Sequence, residues 1–300
     1  GCAGLGAAMY AGRFGLKTVA LGELPGGTIT QTHIVENYPG FKSITGLELG
    51  NKLLEHAKAY DVPVKMEKVV GVKKKEDGLF EVKSDAGEYI GKSIIFATGA
   101  EWKKIGLPGE KEFANKGVHY CALCDGAFYK GKKIAVIGSG DSAVKESLLL
   151  SEYGSNVYIL VRGERLKGEP INNKRVGENK KIEIFTKVEA KEFLGKEKLE
   201  KIKLSRAIKP RDAGEESDEL EVDAVFVLIG HNARSELAKE LGVELNKRGE
   251  IKIDKMSKTN VEGVFAAGDV CDTGFKQAIV GVSEGVSAVY SANEYLKKKG

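Results

Sequence analysis

An α/β fold that writes one unit twice, the second copy set inside the first, is what this 300-residue sequence predicts. Three observations predict it. A β-branched strand runs through a glycine turn into a helix and a second strand at 133–161. The same spacing recurs at the start of the chain. Each copy then closes with short alternating strands and a buried strand that ends in glycine.

The clearer copy reads "KIAVIGSGDSAVKESLLLSEYGSNVYILVRG" from Lys133. Ile134–Ile137 is a short apolar strand, and Gly138-x-Gly140-x-x-Ala143 is a tight turn. Ser142–Tyr153 has helical periodicity with Asp141 as its expected N-cap, and Asn156–Val161 is the next strand. Strand, glycine turn and helix in this order form the Rossmann dinucleotide fingerprint. Its glycines let the backbone approach a pyrophosphate at the positive helix N-terminus. Ala224–Gly230, "AVFVLIG", closes this copy as a buried parallel strand.

The first copy reads "GCAGLGAAMYAGRFGLKTVALGE". With Gly1 as the middle glycine, Gly4 is the third. The strand Thr18–Leu21 then starts 14 residues later, as Val157 stands 14 residues after Ala143. Glu23, just past that strand, is where an acid accepts hydrogen bonds from a ribose. The chain begins inside this motif without an initiator Met, so a preceding N-terminal strand is expected to be missing. Ser93–Gly99, "SIIFATG", closes the copy. One antiparallel meander is expected over Val64–Lys73, Leu79–Ser84 and Glu88–Ile90. A second is expected over Ile182–Phe193, Leu199–Ser205 and Leu220–Val222.

Turn residues in "GLPGEKEF" and "HNARSE" mark the joints. The expected domains are therefore 1–108 with 235–300, and 109–234 inserted between them. A closing helix is expected from about Gln277 to Lys297. The fold class is α/β, two Rossmann-like domains of three-layer β/β/α build.

Composition sets outer limits. Hydrophobic residues are 42%, charged residues 30%, and the net charge is +4. Basic and acidic residues are interleaved, which excludes a nucleic-acid footprint. No apolar run approaches the roughly 18 residues of a membrane span. Four cysteines in 300 residues do not make a secreted scaffold, so a reducing, cytoplasmic compartment is expected.

Two of those cysteines, Cys121 and Cys124, form Cys-x-x-Cys with Asp125 next to them. The pair is a redox dithiol, half of a zinc site, or two inert core thiols. Zinc needs a second ligand pair nearby. Cys2, Cys271, His33, His56, His119 and His231 are all isolated. Cys2 and Cys271 read as small packing residues, with an accessory thiol pair as their alternative. His119, two residues before Cys121, reads as a structural histidine, with tuning of a thiolate as its alternative.

With its two fingerprints, "ENYPGF", "ATGA", "CALCDG", "GVFAAGDV" and "KQAIVG" in this order, nearly the whole chain resembles the flavoprotein disulfide reductases. Within them it is most similar to the low-molecular-weight thioredoxin reductases, where the cysteine pair also lies just before the nicotinamide fingerprint. The resemblance implies FAD in the first domain, held by Gly1, Gly4, Glu23, Gly26, Gly27, Thr28, Asn37, Ala97, Thr98, Gly99, Asp269, Lys276, Gln277 and Ala278. It implies NADPH or NADH in the inserted domain, at Gly138, Gly140, Asp141, Ser142, Arg162, Arg165 and Lys167. The catalytic set it implies is Cys121, Cys124 and Asp125. Cys124 would face the flavin, Cys121 would attack the partner, and Asp125 would be the acid. The partner would be a thioredoxin-like protein disulfide and the assembly a homodimer. The inserted domain would rotate between two states.

The segment "VRGERLKGEP" departs from the family, which has His-Arg-Arg where this chain has Val161, Arg162 and Gly163. Arg162, Arg165 and Lys167 suit a 2′-phosphate, whereas Glu164 suits a free 2′-hydroxyl. Other readings are a ferredoxin or deazaflavin donor, a glutaredoxin-like or peroxiredoxin acceptor, and a redox-inactive flavin- or nucleotide-binding module.

Overall fold

The computed structural model describes residues 1–299. The chain divides into two compact units, one of Gly1–Glu101 with the stretch from Asn232 onward, the other Trp102–His231. The sequence-expected joints at 108/109 and 234/235 lie a few residues further along. Segment 103–106 stays with the inserted unit through its backbone. Lys103 N–H donates to Gly230 O at 2.9 Å, and Ile105 and Gly106 N–H donate to the buried Glu110 carboxylate at 3.0 and 2.6 Å.

The inserted unit holds a parallel sheet of five strands. Their order is Ile182–Thr186, Asn156–Val161, Lys133–Ile137, Ala224–Val227 and Val118–His119. Val157 and Ala224 both pair with Ile134, from opposite sides. Alternation along these strands builds three layers. Ala135, Ile137, Tyr158, Leu160, Val225 and Val227 pack against a meander through Phe193, Ile202 and Leu220. Ile134, Val136, Val157, Ile159, Ala224 and Phe226 pack the other way, onto Ala143, Val144, Leu150 and Val176 of two helices. Each such Val or Ile, fully buried, is worth about 1.5–3 kcal/mol of transfer free energy.

The meander is Ala190–Gly195, Leu199–Ile208 and Ser217–Glu221. The expected span Ile182–Phe193 therefore splits. Its first half, Ile182–Thr186, joins the parallel sheet beside Asn156–Val161, and only its second half enters the meander. Lys187 at φ 55° makes the break. In the other unit the span Val64–Lys73 splits the same way. Val64–Lys65 pairs in parallel with Ala20–Leu21, while Val69–Lys74 begins the meander with Phe80–Ser84 and Glu88–Gly91.

In that other unit, Ile94–Phe96 and Val264–Ala266 form a buried parallel pair. The helix Gly46–Lys58 starts with a capping box, Thr45 with Glu48. The closing helix, Ala278–Lys299, lies along the first helix, Cys2–Arg13. Small residues bring the two backbones together. A Cβ on Gly285 would collide with Ala3 O, and one on Gly6 would sit 3.0 Å from Val282 Cγ1.

Candidate redox-active site

Cys121 and Cys124 are joined in a disulfide, with Cα atoms 5.4 Å apart. The parallel strand Val118–His119 delivers Cys121 to the N-cap of a short helix, Ala122–Asp125. Extended backbone at Cys121 (φ −137°, ψ 108°) lets its sulfur accept the Cys124 N–H at 3.2 Å. A thiolate at that place gains from the same N–H. The next orphan donor, Ala122 N–H, goes to Glu146 Oε2 at 2.8 Å. Glu146 sits on the glycine-turn helix, Asp141–Tyr153. Burial pushes its carboxyl up to about 7, against the opposing pull of the Ala122 N–H. The sequence reading missed Glu146. Its signal was an acid at helical spacing between the apolar residues Ala143 and Leu150.

In this state Cys121 is 7% exposed, whereas Cys124 is exposed. Accessibility and thiolate stabilisation therefore favour different sulfurs. Accessibility favours Cys124, and the donated N–H favours Cys121.

Asp125 follows on the same turn. Its Oδ2 lies 3.1 Å from His119 Nδ1, off the line of a well-formed hydrogen bond. His119 is 5% exposed and stacks on Phe226 with ring centroids 5.4 Å apart. Its Nε2 is 2.7 Å from Tyr129 Oη. Burial lowers the basicity of His119, while Asp125 opposes that trend. Burial also pushes the Tyr129 phenol up, helped by Asp125 and Asp223. The spacing of Tyr129 gave no hint of this contact.

The glycine turn at 138–143 lies in the same unit. Gly138 has φ 151°, and a Cβ there would collide with Leu228 O and stand 2.9 Å from Ala143 Cβ. Gly140 is the N-cap, without a side-chain cap, and a Cβ on it meets nothing within 4 Å. The helix thus offers its first N–H groups to open space, which suits a dinucleotide pyrophosphate. Asp141 is not the expected N-cap but the first helical residue. Its carboxylate accepts Glu169 N–H at 3.0 Å and pairs with Lys145 at 2.7 Å, tying down the loop beyond Val161. Lys167 N–H donates to Ser139 O at 2.6 Å, closing the same loop. Ser142 stands in the helix's first turn. Arg162, Arg165 and Lys167 are exposed. Glu164 is paired with Lys187 at 3.0 Å.

In the other unit the first helix also starts at a glycine N-cap, Gly1, with no side-chain cap. Gly26 (φ 85°) and Gly27 (φ 68°) lie against it, and a Cβ on Gly27 would be 2.6 Å from Gly1 Cα. A Cβ on Gly4 would meet Ala97 Cβ at 3.4 Å. Asn37 Nδ2 donates to Gln277 Oε1 at 2.9 Å, across 240 residues of sequence. Asp269 is exposed and close enough to help push the Cys2 thiol up to about 11, behind burial as the larger cause. Thr28 lies in the short 3-10 helix Gly27–Gln31. Thr98 Oγ1 donates to Arg234 O at 2.6 Å, and Gly99 has φ 68°. Ala278 begins the closing helix. Two glycine cradles fronting an uncapped helix N-terminus fit a dinucleotide here as well.

Two of the expected residues have partners within the protein. Lys276 donates to Asp269 O and Cys271 O at 2.7 and 2.6 Å and pairs with the buried Glu250 at 3.1 Å. Its ammonium thus fixes the loop before the closing helix. Glu23 is exposed and 3.9 Å from Lys68. Cys2 and Cys271 are free thiols, with Cys271 buried. Among the described residues, no cluster of three or more His, Cys, Asp and Glu side chains is placed to hold a metal ion. No described helix is long and apolar enough to cross a membrane.

Comparison with known proteins bears on this arrangement. A family model described as pyridine nucleotide-disulphide oxidoreductase matches residues 1–285. A thioredoxin reductase of Bacillus subtilis is 39% identical over 303 residues, spanning 99% of this chain and 93% of that protein. The crystal structure of Lactococcus lactis thioredoxin reductase, in its FR conformation, superposes with a TM-score of 0.92. It is 35% identical, and 99% of this chain and 97% of that one are covered. The structure of T. acidophilum thioredoxin reductase gives a TM-score of 0.90 at 33% identity, over 100% of this chain and 96% of that one.

Proposed function

The chain belongs to the pyridine nucleotide-disulphide oxidoreductase family, and from that premise we propose that it acts as a thioredoxin reductase, passing electrons from NAD(P)H through FAD and the Cys121–Cys124 disulfide to the disulfide of a thioredoxin-like protein. The observation that carries this reading is the Cys121–Cys124 disulfide itself, seated at a helix N-cap with Asp125 beside it. Bound FAD supplies a centre that takes hydride from the nicotinamide and returns an electron pair to sulfur. Gly1, Gly4, Gly26, Gly27, Asn37, Asp269 and Gln277 are the residues best placed to hold it. Gly138, Gly140 and Ser142 would hold the nicotinamide dinucleotide.

The chain's own steps are thiol–disulfide exchange. In the reduced pair, the Cys121 thiolate attacks one partner sulfur. The partner S–S bond breaks, a Cys121–partner disulfide forms, and the leaving partner sulfur takes a proton from Asp125. Cys124 then attacks the Cys121 sulfur. The intramolecular disulfide returns, the second partner sulfur leaves as a thiol, and two electrons have moved to the partner. Cys121 is assigned the attack because the Cys124 N–H aimed at it stabilises a thiolate. Phe128, 81% exposed, projects from the turn directly after the pair and offers a protein partner an apolar contact.

On the donor, the Lys187–Glu164 pair is informative. It engages Glu164, while the segment's other acid, Glu169, pairs with Lys145 at 3.3 Å, and Arg162, Arg165 and Lys167 stand exposed as cations. That favours the 2′-phosphate of NADPH over the ribose hydroxyl of NADH. A cytoplasmic homodimer completes the reading.

The test uses purified, FAD-loaded protein. Anaerobic NADPH is expected to bleach the flavin, and addition of oxidised thioredoxin to restore its colour. Cys121→Ser and Cys124→Ser should keep the first response and lose the second. Undiminished thioredoxin reduction by either variant refutes the proposal.

A further inference from the structure

Glu146 touches the dithiol turn yet takes no part in thiol–disulfide exchange. Its Oε2 accepts Ala122 N–H at 2.8 Å, on the peptide nitrogen that directly follows Cys121. Cys121 is the N-cap of that turn, and Cys124 N–H points at its sulfur at 3.2 Å. Two N–H groups of the turn are thus divided between a carboxyl and a sulfur. Glu146, Cys121 and Cys124 all belong to the unit Trp102–His231, so the contact travels with that unit. We propose that the Glu146 carboxylate opposes the Cys121 thiolate and so keeps the reduced pair a strong electron donor. The proposal rests on the reductase reading, in which that pair must reduce a partner disulfide.

An anchor for Ala122 N–H needs only an oxygen, and a carboxamide would serve without a charge. A carboxylate here meets the thiolate across a single peptide group. Ala122 and Cys121 are both buried, so salt and water screen the two charges weakly. Like charges held this close raise each other's proton affinity. No cation cancels the carboxylate. Among the described residues it forms no ion pair, and burial raises it to about 7 with only the Ala122 N–H opposing. Lys145, beside it in sequence, is turned to Asp141 at 2.7 Å and Glu169 at 3.3 Å. Arg175, on the helix Pro170–Glu178, donates to Asn172 at 3.2 Å. The remaining titratable groups around the turn are Asp125, His119 and Tyr129. Asp125 has His119 Nδ1 3.1 Å away, and His119 Nε2 meets Tyr129 Oη at 2.7 Å. Burial lowers the basicity of His119, so its ring brings no positive charge at neutral pH.

Reduction of the Cys121–Cys124 bond takes up two electrons and two protons, and the more acidic thiol then returns one proton to water. Surroundings that stabilise the thiolate favour the reduced pair and make it a weaker reductant. The Cys124 N–H acts in that direction, and the Glu146 charge limits how far it goes. A less acidic thiol is also the better nucleophile once ionised. In return, the thiolate holds a proton on Glu146 to higher pH, so the two groups titrate as a coupled pair.

The experiment equilibrates FAD-loaded wild type and Glu146→Gln with dithiothreitol and its cyclic disulfide, anaerobically and without NADPH, across about pH 6 to 9. Acid quenching, alkylation and peptide mass then give the fraction of Cys121–Cys124 that is reduced. Gln keeps an acceptor for Ala122 N–H and removes the charge. The two proteins are expected to agree at the acid end, where Glu146 is protonated. At the alkaline end the Gln variant should favour the reduced pair about tenfold more, a potential about 30 mV less negative. Equal reduction at every pH would show that Glu146 only anchors the turn, and would overturn the proposal. A difference of the same size from acid to alkaline pH would overturn it too, because ionisation of Glu146 would not be the cause. If the dithiol behaves as expected but the enzyme leaves thioredoxin oxidised, the reductase reading fails while the repulsion stands.

Discussion

Replacing Glu146 with Gln separates the charge of this residue from its hydrogen bond. The carboxamide oxygen can still accept Ala122 N–H, so the cysteine turn keeps its anchor. What disappears is a carboxyl raised from 4.5 to about 7 by burial. A tenfold change in proton affinity is worth about 1.4 kcal/mol, so that rise corresponds to about 3 kcal/mol. The direction follows from proton counting. Between pH 4.5 and about 7 the folded protein holds a proton on Glu146 that the unfolded chain has released. Stability from this group is therefore complete below pH 4.5 and is lost as pH rises through about 7. Urea unfolding followed by Trp102, the sole tryptophan and part of the inserted unit, reports the change. Wild type should lose about 3 kcal/mol relative to Glu146→Gln across that range. Glu146→Ala should be weaker than Glu146→Gln by about 1–3 kcal/mol at every pH, because Ala122 N–H loses its acceptor. Parallel pH curves for wild type and the Gln variant would refute the burial account of this site.

Two further outcomes follow from the same reasoning. Arg162→Ala and Lys167→Ala should each lower kcat/KM for NADPH about tenfold while leaving NADH almost unchanged, since each removes a cation from a 2′-phosphate. Equal losses with both nucleotides would contradict the donor assignment. Gly285→Ala should destabilise the unit that holds both helices by about 1–3 kcal/mol, because its Cβ would meet Ala3 O and force the closing helix away from the first. Flavin released on dilution reads the accompanying loosening of the Gly1 turn, and undiminished flavin retention would count against that packing.

Much of the architecture was legible because it is written locally. A strand, a glycine turn and a helix are consecutive residues, and the backbone demand at Gly138 falls on one position. The Cys121–Cys124 pairing is equally local, since two intervening residues place both sulfurs on a single turn. The boundary errors arose where one stretch serves two sheets. Ile182–Phe193 reads as one alternating strand, yet Ile182–Thr186 pairs with Asn156–Val161 and the rest turns away at Lys187. Hydrophobic alternation reports that a segment is extended and half-buried, and it does not say which neighbour the segment will choose. Asp141 was misread for a related reason. An acid before a helix is a common cap, but here its carboxylate is drawn to Lys145 and the Glu169 amide 28 residues away.

By itself the sequence determined the doubled unit and the Cys-x-x-Cys pair, because each is a matter of residue type and spacing along a few turns of chain. Only the tertiary structure decided that Glu146 caps the cysteine turn, that Lys276 braces a loop, and that His119 lies between Asp125 and Tyr129. Those pairings join residues that the chain brings together only after the sheets and helices have closed. Burial then shifts the proton affinities of Glu146, His119 and Tyr129, and burial belongs to the folded core.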